Sequence, residues 1–266
     1  MKTYKDLLNE IQTNRDDKFI QKVLKNIQPW IKAIGGVKNL DKEILYRGIG
    51  NAPNVTMKDN IKVVRTDRKP RDTNTVLSGL LDDWFNKKFR HKYRTQALFA
   101  TGVRNEAKRF GSPMVILPIG KFEYVWGKQV DDLTNKLDGE RFDLEEWTDG
   151  WVFDHNGGVI DIVQIIEASE EDITDNFLST TKMLEWEGMS TKERKDRIIT
   201  IQKNVVTALE SKLNKYKYTD SNITTALGTG FEISIKVKSY YILSDANDFG
   251  FIGGSTGAIK RLRMGK

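Results

Sequence analysis

Residues 97–111 read Ala97-Leu98-Phe99-Ala100-Thr101-Gly102-Val103-Arg104-Asn105-Glu106-Ala107-Lys108-Arg109-Phe110-Gly111. The apolar start predicts a short buried strand, the small residues a turn, and the remainder a helix. A turn built from Ala100, Thr101 and Gly102 lets a ligand approach the backbone closely. The helix that follows offers its free N–H groups and positive dipole end to an anion. Thr-Gly at such a junction also serves plain capping, so this stretch alone names no function.

Outward from it, the pattern alternates between strand and helix signals. Pro113–Ile119 and Phe122–Trp126 predict two strands around Gly120. In 231–243, Phe231, Ile233, Ile235 and Val237 form one face, and Glu232, Ser234, Lys236 and Lys238 the other. Glu232 sits at that strand's start, just after Gly228-Thr229-Gly230, where loops open onto sites. Upstream, Ile44–Gly48 predicts a brief strand whose Arg47, next to Gly48, is placed to reach a phosphate or carboxylate with its planar fork. A surface Arg beside an ordinary turn gives the same pattern.

Elsewhere, Val159–Ile166 reads as a buried strand. Val76, Leu77, Leu80, Leu81, Trp84 and Phe85 mark an amphipathic helix. A long helical region is expected from about Ile173 to Tyr216, with a capping box at Ser190 and Glu193 and an apolar stripe Ile198, Ile201, Val205, Leu209, Leu213. Residues 3–33 predict two helices, closed by Pro29 and Gly35-Gly36. Residues 127–158 are polar and irregular. Their neighbouring pairs Asp131-Asp132 and Glu145-Glu146 make poor catalytic dyads, because adjacent strand residues point opposite ways.

The chain has 266 residues, no Cys and only two His, His91 and His155, with a net charge of +6. Thiolate chemistry and disulfides are excluded, and a His-rich metal site is not expected. Twelve Phe, six Trp and eight Tyr supply an ordinary globular core. No apolar run approaches the length of a bilayer span and the start does not resemble a signal peptide, so a soluble, cytoplasmic protein is expected, with no membrane partner. The basic bias suits a polyanion: a dinucleotide, a nucleic acid or an acidic surface. Two segments concentrate it. Residues 62–72 hold Lys62, Arg65, Arg68, Lys69 and Arg71 around Pro70, and 84–94 interleave rings with Lys87, Lys88 and Arg90. Both read either as solvated charge or as nucleic-acid or acceptor contact, with Tyr93 and His91 left for contact once Trp84, Phe85 and Phe89 face a core.

Three separated segments together resemble the ADP-ribosyltransferase superfamily, in its phage-encoded, toxin-like Arg–Ser–Glu type. They are Leu45-Tyr46-Arg47-Gly48, then Leu98-Phe99-Ala100-Thr101-Gly102 with Ala107 and Phe110-Gly111, then Phe231-Glu232-Ile233 with Tyr240-Tyr241. The resemblance spans roughly residues 44–245. It implies NAD as co-substrate, cleaved between nicotinamide and ribose through an oxocarbenium-like state, with ADP-ribose passing to a nucleic acid, a host protein or water. It further implies that Glu232 stabilises the positive ribose, that Arg47 holds the dinucleotide, and that Thr101 orients Glu232 or the ribose. Gly48, Phe99 and Ala100 would line the cofactor, and Phe110 or Tyr93 would stack on nicotinamide. Two departures stand out. The family's Ser-Thr-Ser is Ala100-Thr101-Gly102, and Gly230 stands where arginine-modifying members carry Glu or Gln. Such a site points away from protein arginine as acceptor.

The fold expected is α+β: a split, mostly antiparallel ADP-ribosyltransferase-like sheet core with surrounding helices. Its parts would be an N-terminal helical lead-in over 1–40, the main domain over 41–248 with 127–215 partly inserted, and a Gly-rich basic tail over 249–266. Glu167 and Glu170 are reserve carboxylates, and no metal is expected. The rival readings are a basic nucleic-acid-binding module and a non-catalytic virion or structural protein on the same fold.

Overall fold

The computed structural model describes residues 21–40, 42–50, 61–66, 74–152, 158–178 and 180–244. The expected first helix, the loop residues 67–72 and the tail from 249 lie outside them. The chain divides into two compact units: Met1–Asp67 with Gln96–Trp126 and Thr219–Lys266, and Arg68–Thr95 with Gly127–Tyr218. The expected insertion 127–215 thus falls in unit 2 together with 68–95. Among the described residues, no helix is long and apolar enough to cross a membrane.

The six strands are β1 (Tyr46–Ile49), β2 (Ile61–Val63), β3 (Leu98–Ala100), β4 (Ser112–Gly127), β5 (Tyr218–Thr219) and β6 (Ile233–Ser244). Unit 1 is built on their antiparallel sheet, ordered β1-β4-β6-β2, with β3 also beside β6. Mixed helix and antiparallel sheet make the fold α+β. β4 is one long strand, not the two expected. It pairs with β6 from Met114↔Ser244 to Trp126↔Ile233 and absorbs Gly120 in a register shift between Ile119 and Phe122. Gly120 adopts φ +72, which glycine tolerates, so the chain bulges there without ending the strand.

Helices cover the face of β6 that carries its odd-numbered residues. Trp30 packs on Phe122, ring centroids 5.7 Å apart, and Asn26 Nδ2 donates to Tyr241 Oη at 2.8 Å. Phe122 lies opposite Val237, so both contacts fall on that face. Further along, Ile223 N donates to Tyr124 Oη at 3.1 Å. The lead-in residues Ile27, Trp30, Ile34 and Leu40 are fully buried in the same core as the sheet, each contributing about 1.5–3 kcal/mol. Pro29 does not close that segment. It occupies the first turn of the helix Gln28–Ala33, where its missing N–H costs nothing.

Unit 2 is mainly helical. Its helix Thr75–Phe89 starts on an Asn74 side-chain cap and ends at Arg90, whose φ of 60 is left-handed. Buried Asp82 ties that helix to the next turn by accepting from Arg94 N at 2.7 Å and from Thr95 Oγ1. The expected strand at Val159–Ile166 is instead the helix Val159–Glu167. A short, wholly apolar run carries no period of its own. Asp161 decides it by accepting the Gly158 N–H at 2.9 Å and closing a helical first turn. The long helical region is three helices, Glu170–Asn176, Thr180–Glu187 and Thr191–Lys215. The capping box at Ser190 and Glu193 is present, and Ile201, Val205, Leu209 and Leu213 are buried.

The opening junction differs from expectation in what fills it. A Cβ on Gly102 would lie 1.8 Å from the Leu227 carbonyl oxygen, so the close approach at this glycine is to the backbone of the helix Ile223–Thr229. No ligand is needed to explain it. The helix that follows, Arg104–Lys108, is only five residues long, too short for the dipole argument to hold. Gly102→Ala is therefore expected to destabilise the protein by about 3 kcal/mol in urea denaturation; a change within about 0.5 kcal/mol would contradict this packing.

Candidate functional site

Tyr46 and Thr101 exchange two backbone hydrogen bonds, Tyr46 N to Thr101 O at 2.7 Å and Thr101 N to Tyr46 O at 2.9 Å. This single pair joins β1, bonded to β4, with the end of β3, bonded to β6. A ladder extended from it would match Gly48 with Phe99. The strands part instead, and the Arg47 side chain takes the vacated acceptor, Nη1 donating to Phe99 O at 3.1 Å.

Arg47 is half-buried, and desolvation pushes its guanidinium below the ordinary arginine value. Among the described residues no carboxylate pairs with it. The one ionisable group that senses it is Tyr240, whose phenol is buried and pushed upward by desolvation, while the Arg47 charge pulls it down. Register explains the meeting. Arg47 pairs with Met114 and Met114 with Ser244, so Arg47 shares the face of the even-numbered residues of β6, Tyr240 included. A buried cation is normally paired. Arg47 has five N–H donors, and its one hydrogen bond among the described residues goes to a neutral carbonyl. An anion seated there would complete it.

Thr101 is buried, and its Oγ1 accepts from Val103 N at 3.3 Å, a turn-forming bond that leaves its own hydrogen to donate. Phe99 pairs with Ser234 and Ala100 with Ile233. That ladder ends at Ala100 and Ile233, one residue short of Thr101 on one strand and of Glu232 on the other. Glu232 is half-buried and precedes β6 by one residue. The even-numbered face of β6 that carries Tyr240 also carries Ser234. Arg47 on β1, Thr101 just after β3 and Glu232 just before β6, far apart in sequence, thus lie at neighbouring strand ends of unit 1, with Thr101 paired to Tyr46.

The other expected residues divide. Phe110 stands 56% exposed, with a ring face available for stacking. Gly48 is not open: a Cβ there would meet Ala107 O at 2.2 Å and the Phe110 backbone, so its missing side chain seats the protein's own turn. Phe99 is half-buried and Ala100 packs in the core. Tyr93 belongs to unit 2 and is buried at 1% exposure among Phe85, Phe89 and His91, which removes it as a stacking platform. Gly230 has φ +77 and ends a helix, a backbone reason for glycine at this position.

The segment 84–94 also turns its rings inward. Trp84, Phe85 and Tyr218 pack edge-to-face at 5.0–5.6 Å, Lys87 pairs with Glu210 at 2.7 Å, and Lys88 lies over Trp84 at 4.9 Å. Arg90 is exposed on its helix end, and Arg65 is exposed after β2. Arg68, Lys69 and Arg71 lie outside the described residues. Glu167 ends a helix and Glu170 lies 3.9 Å from Arg194, both in unit 2. Tyr240 was missed as a neighbour of Arg47, though its alternation with Glu232 along 232–240 is legible in the sequence. Charge divides unequally: unit 1 holds 23 Lys and Arg against 14 Asp and Glu, unit 2 holds 20 against 23. The basic bias therefore belongs to the unit that carries Arg47.

No protein family, curated protein or solved structure matches the chain.

If Arg47 awaits an anion, its removal relieves a desolvated charge. Arg47→Met is expected to leave stability within about 1 kcal/mol of wild type and to weaken the dependence of melting temperature on inorganic pyrophosphate. A loss of about 3 kcal/mol, with the pyrophosphate dependence unchanged, would instead make Arg47 a strut for Phe99.

Proposed function

We propose that the protein is a NAD-dependent ADP-ribosyltransferase acting on a macromolecular acceptor, on an ADP-ribosyltransferase-like fold. The observation that carries this reading is the desolvated Arg47 guanidinium, without a carboxylate partner among the described residues, beside a hydroxyl and a carboxylate on adjoining strands. A dinucleotide pyrophosphate supplies the anion such a cation lacks. In this reading the Glu232 carboxylate, one residue before β6, stabilises positive charge developing on a ribose, as carboxylates do in glycoside hydrolysis. Thr101, whose Oγ1 accepts from Val103 N, contributes a fixed hydroxyl at the end of β3. Phe110 presents an exposed ring for a flat heterocycle.

The chemistry supplied by NAD is a breakable bond between ribose C1′ and nicotinamide. The electron pair leaves with nicotinamide, a lone pair of the acceptor forms the new bond to C1′, and the acceptor loses its proton to solvent. Gly230, rather than an acid, next to this carboxylate favours a nucleic acid, another side chain or water over protein arginine. Tyr240 keeps its proton at neutral pH and so adds no negative charge to compete for Arg47.

The test uses NAD labelled in its adenosine, incubated with the full chain, single-stranded RNA and DNA, and cell lysate. Glu232→Gln is expected to slow nicotinamide release and label transfer by at least about 100-fold, with the melting temperature unchanged. Equal rates for the two proteins, or none for either, would remove the enzymatic reading.

A further inference from the structure

Three neighbouring strands of unit 1 bring four lysines to one face. Along β6 the even-numbered residues share a side, so Lys236 and Lys238 stand about 7 Å apart with Tyr240 next in line. Lys62 of β2 lies directly opposite Tyr240. Lys121 lies with Gly120 in the register shift of β4, between the pairs Ile119↔Ser239 and Phe122↔Val237 that flank Lys238. Glu123 pairs with Lys236 at 3.0 Å and is the one carboxylate among these positions. Lys62, Lys121 and Lys238 are exposed, Lys236 is half-buried, and exposed Arg65 follows β2. The opposite face is the one that Trp30 and Asn26 cover. Arg47, through Met114 and Ser244, belongs to the same side as the lysines.

We infer that this lysine face binds the phosphodiester backbone of a single-stranded nucleic acid. Lysines are compact charges on flexible stems, suited to following phosphates without reading bases. Their repeat along one strand matches an extended chain of charges. The exposed apolar residues of β2, Ile61 and Val63, alternate to the other side. The row therefore lacks the apolar anchor that an acidic protein or a bilayer surface requires. Unit 1, formally +9, supplies a favourable field, whereas unit 2, formally −3, opposes it around Lys87 and Lys88. The surface stands independently of the transferase reading; where that reading also holds, the bound strand is its acceptor.

The test is fluorescence anisotropy of a labelled single-stranded oligonucleotide with the full chain, without NAD, across a salt series. The triple variant Lys62→Gln, Lys121→Gln, Lys238→Gln is expected to bind at least tenfold more weakly. Its slope of log affinity against log salt should be shallower by about 2, at about 0.7 per lost phosphate contact. Glu123→Gln is expected to tighten binding, which a merely misfolded surface would not do. Lys87→Gln is expected to bind as wild type, and because the assay contains no NAD a failed transferase assay leaves this result standing. The inference is overturned if wild type does not bind at low salt, if the triple variant keeps the wild-type slope, or if polyglutamate or anionic vesicles bind as tightly as the oligonucleotide.

Discussion

The unit that carries the candidate site depends on one pair of backbone hydrogen bonds, those between Tyr46 and Thr101. β1 reaches β6 only through β4, and β3 reaches β4 only through β6. The pair connects the two flanks directly. Where the ladder then fails to continue, a side chain has to satisfy Phe99 O, and Arg47 does so. The contacts around it leave little freedom. Gly48 and Gly102 have no room for a methyl group because the turn after Ala107 and the helix Ile223–Thr229 press on their backbones. The junction is held by backbone packing, and its functional groups are projected from that frame.

Holding a guanidinium in this frame carries a cost. Desolvation disfavours its charge, and among the described residues its neighbours are a carbonyl and a buried phenol where most interiors would supply a carboxylate. Departures of this kind from ordinary core chemistry concentrate at sites that bind something. The division of charge points the same way. The units differ by twelve in formal charge, and the excess of cations lies with the sheet. The anion proposed at Arg47 and the polyanion proposed along Lys62, Lys121, Lys236 and Lys238 both draw on that one asymmetry.

Much of this was legible in the sequence where a local pattern had one physical reading. The alternation from Ile233 to Val237, the helix around Leu77 to Phe85, and the capping box at Ser190 and Glu193 each depend on neighbours a few residues apart. The run Val159–Ile166 misled because an uninterrupted apolar octet suits a buried strand as well as a buried helix, and only the Asp161 cap separates them. Tyr93 and the rings of 84–89 misled because interleaved aromatics and cations look alike whether the rings face solvent or each other. Gly102 was read as a place where a ligand approaches the backbone and Gly48 as lining a cofactor, but at both the approaching group is the chain itself, which no local pattern reveals. Arg47 was legible as a candidate; its lack of a carboxylate partner among the described residues was not, since that depends on what distant segments such as β3 and β6 bring beside it.

The central claim is that β1, β3 and the start of β6 share one ligand through Arg47, Thr101 and Glu232. Amide hydrogen exchange of the full chain with and without excess NAD tests it most directly, because it reports each segment separately. Joint slowing of exchange in 45–49, 98–103 and 231–235, lost in Arg47→Met, is the result this account predicts. Exchange that stays unchanged in those three segments, or that slows only within 84–94, would contradict it.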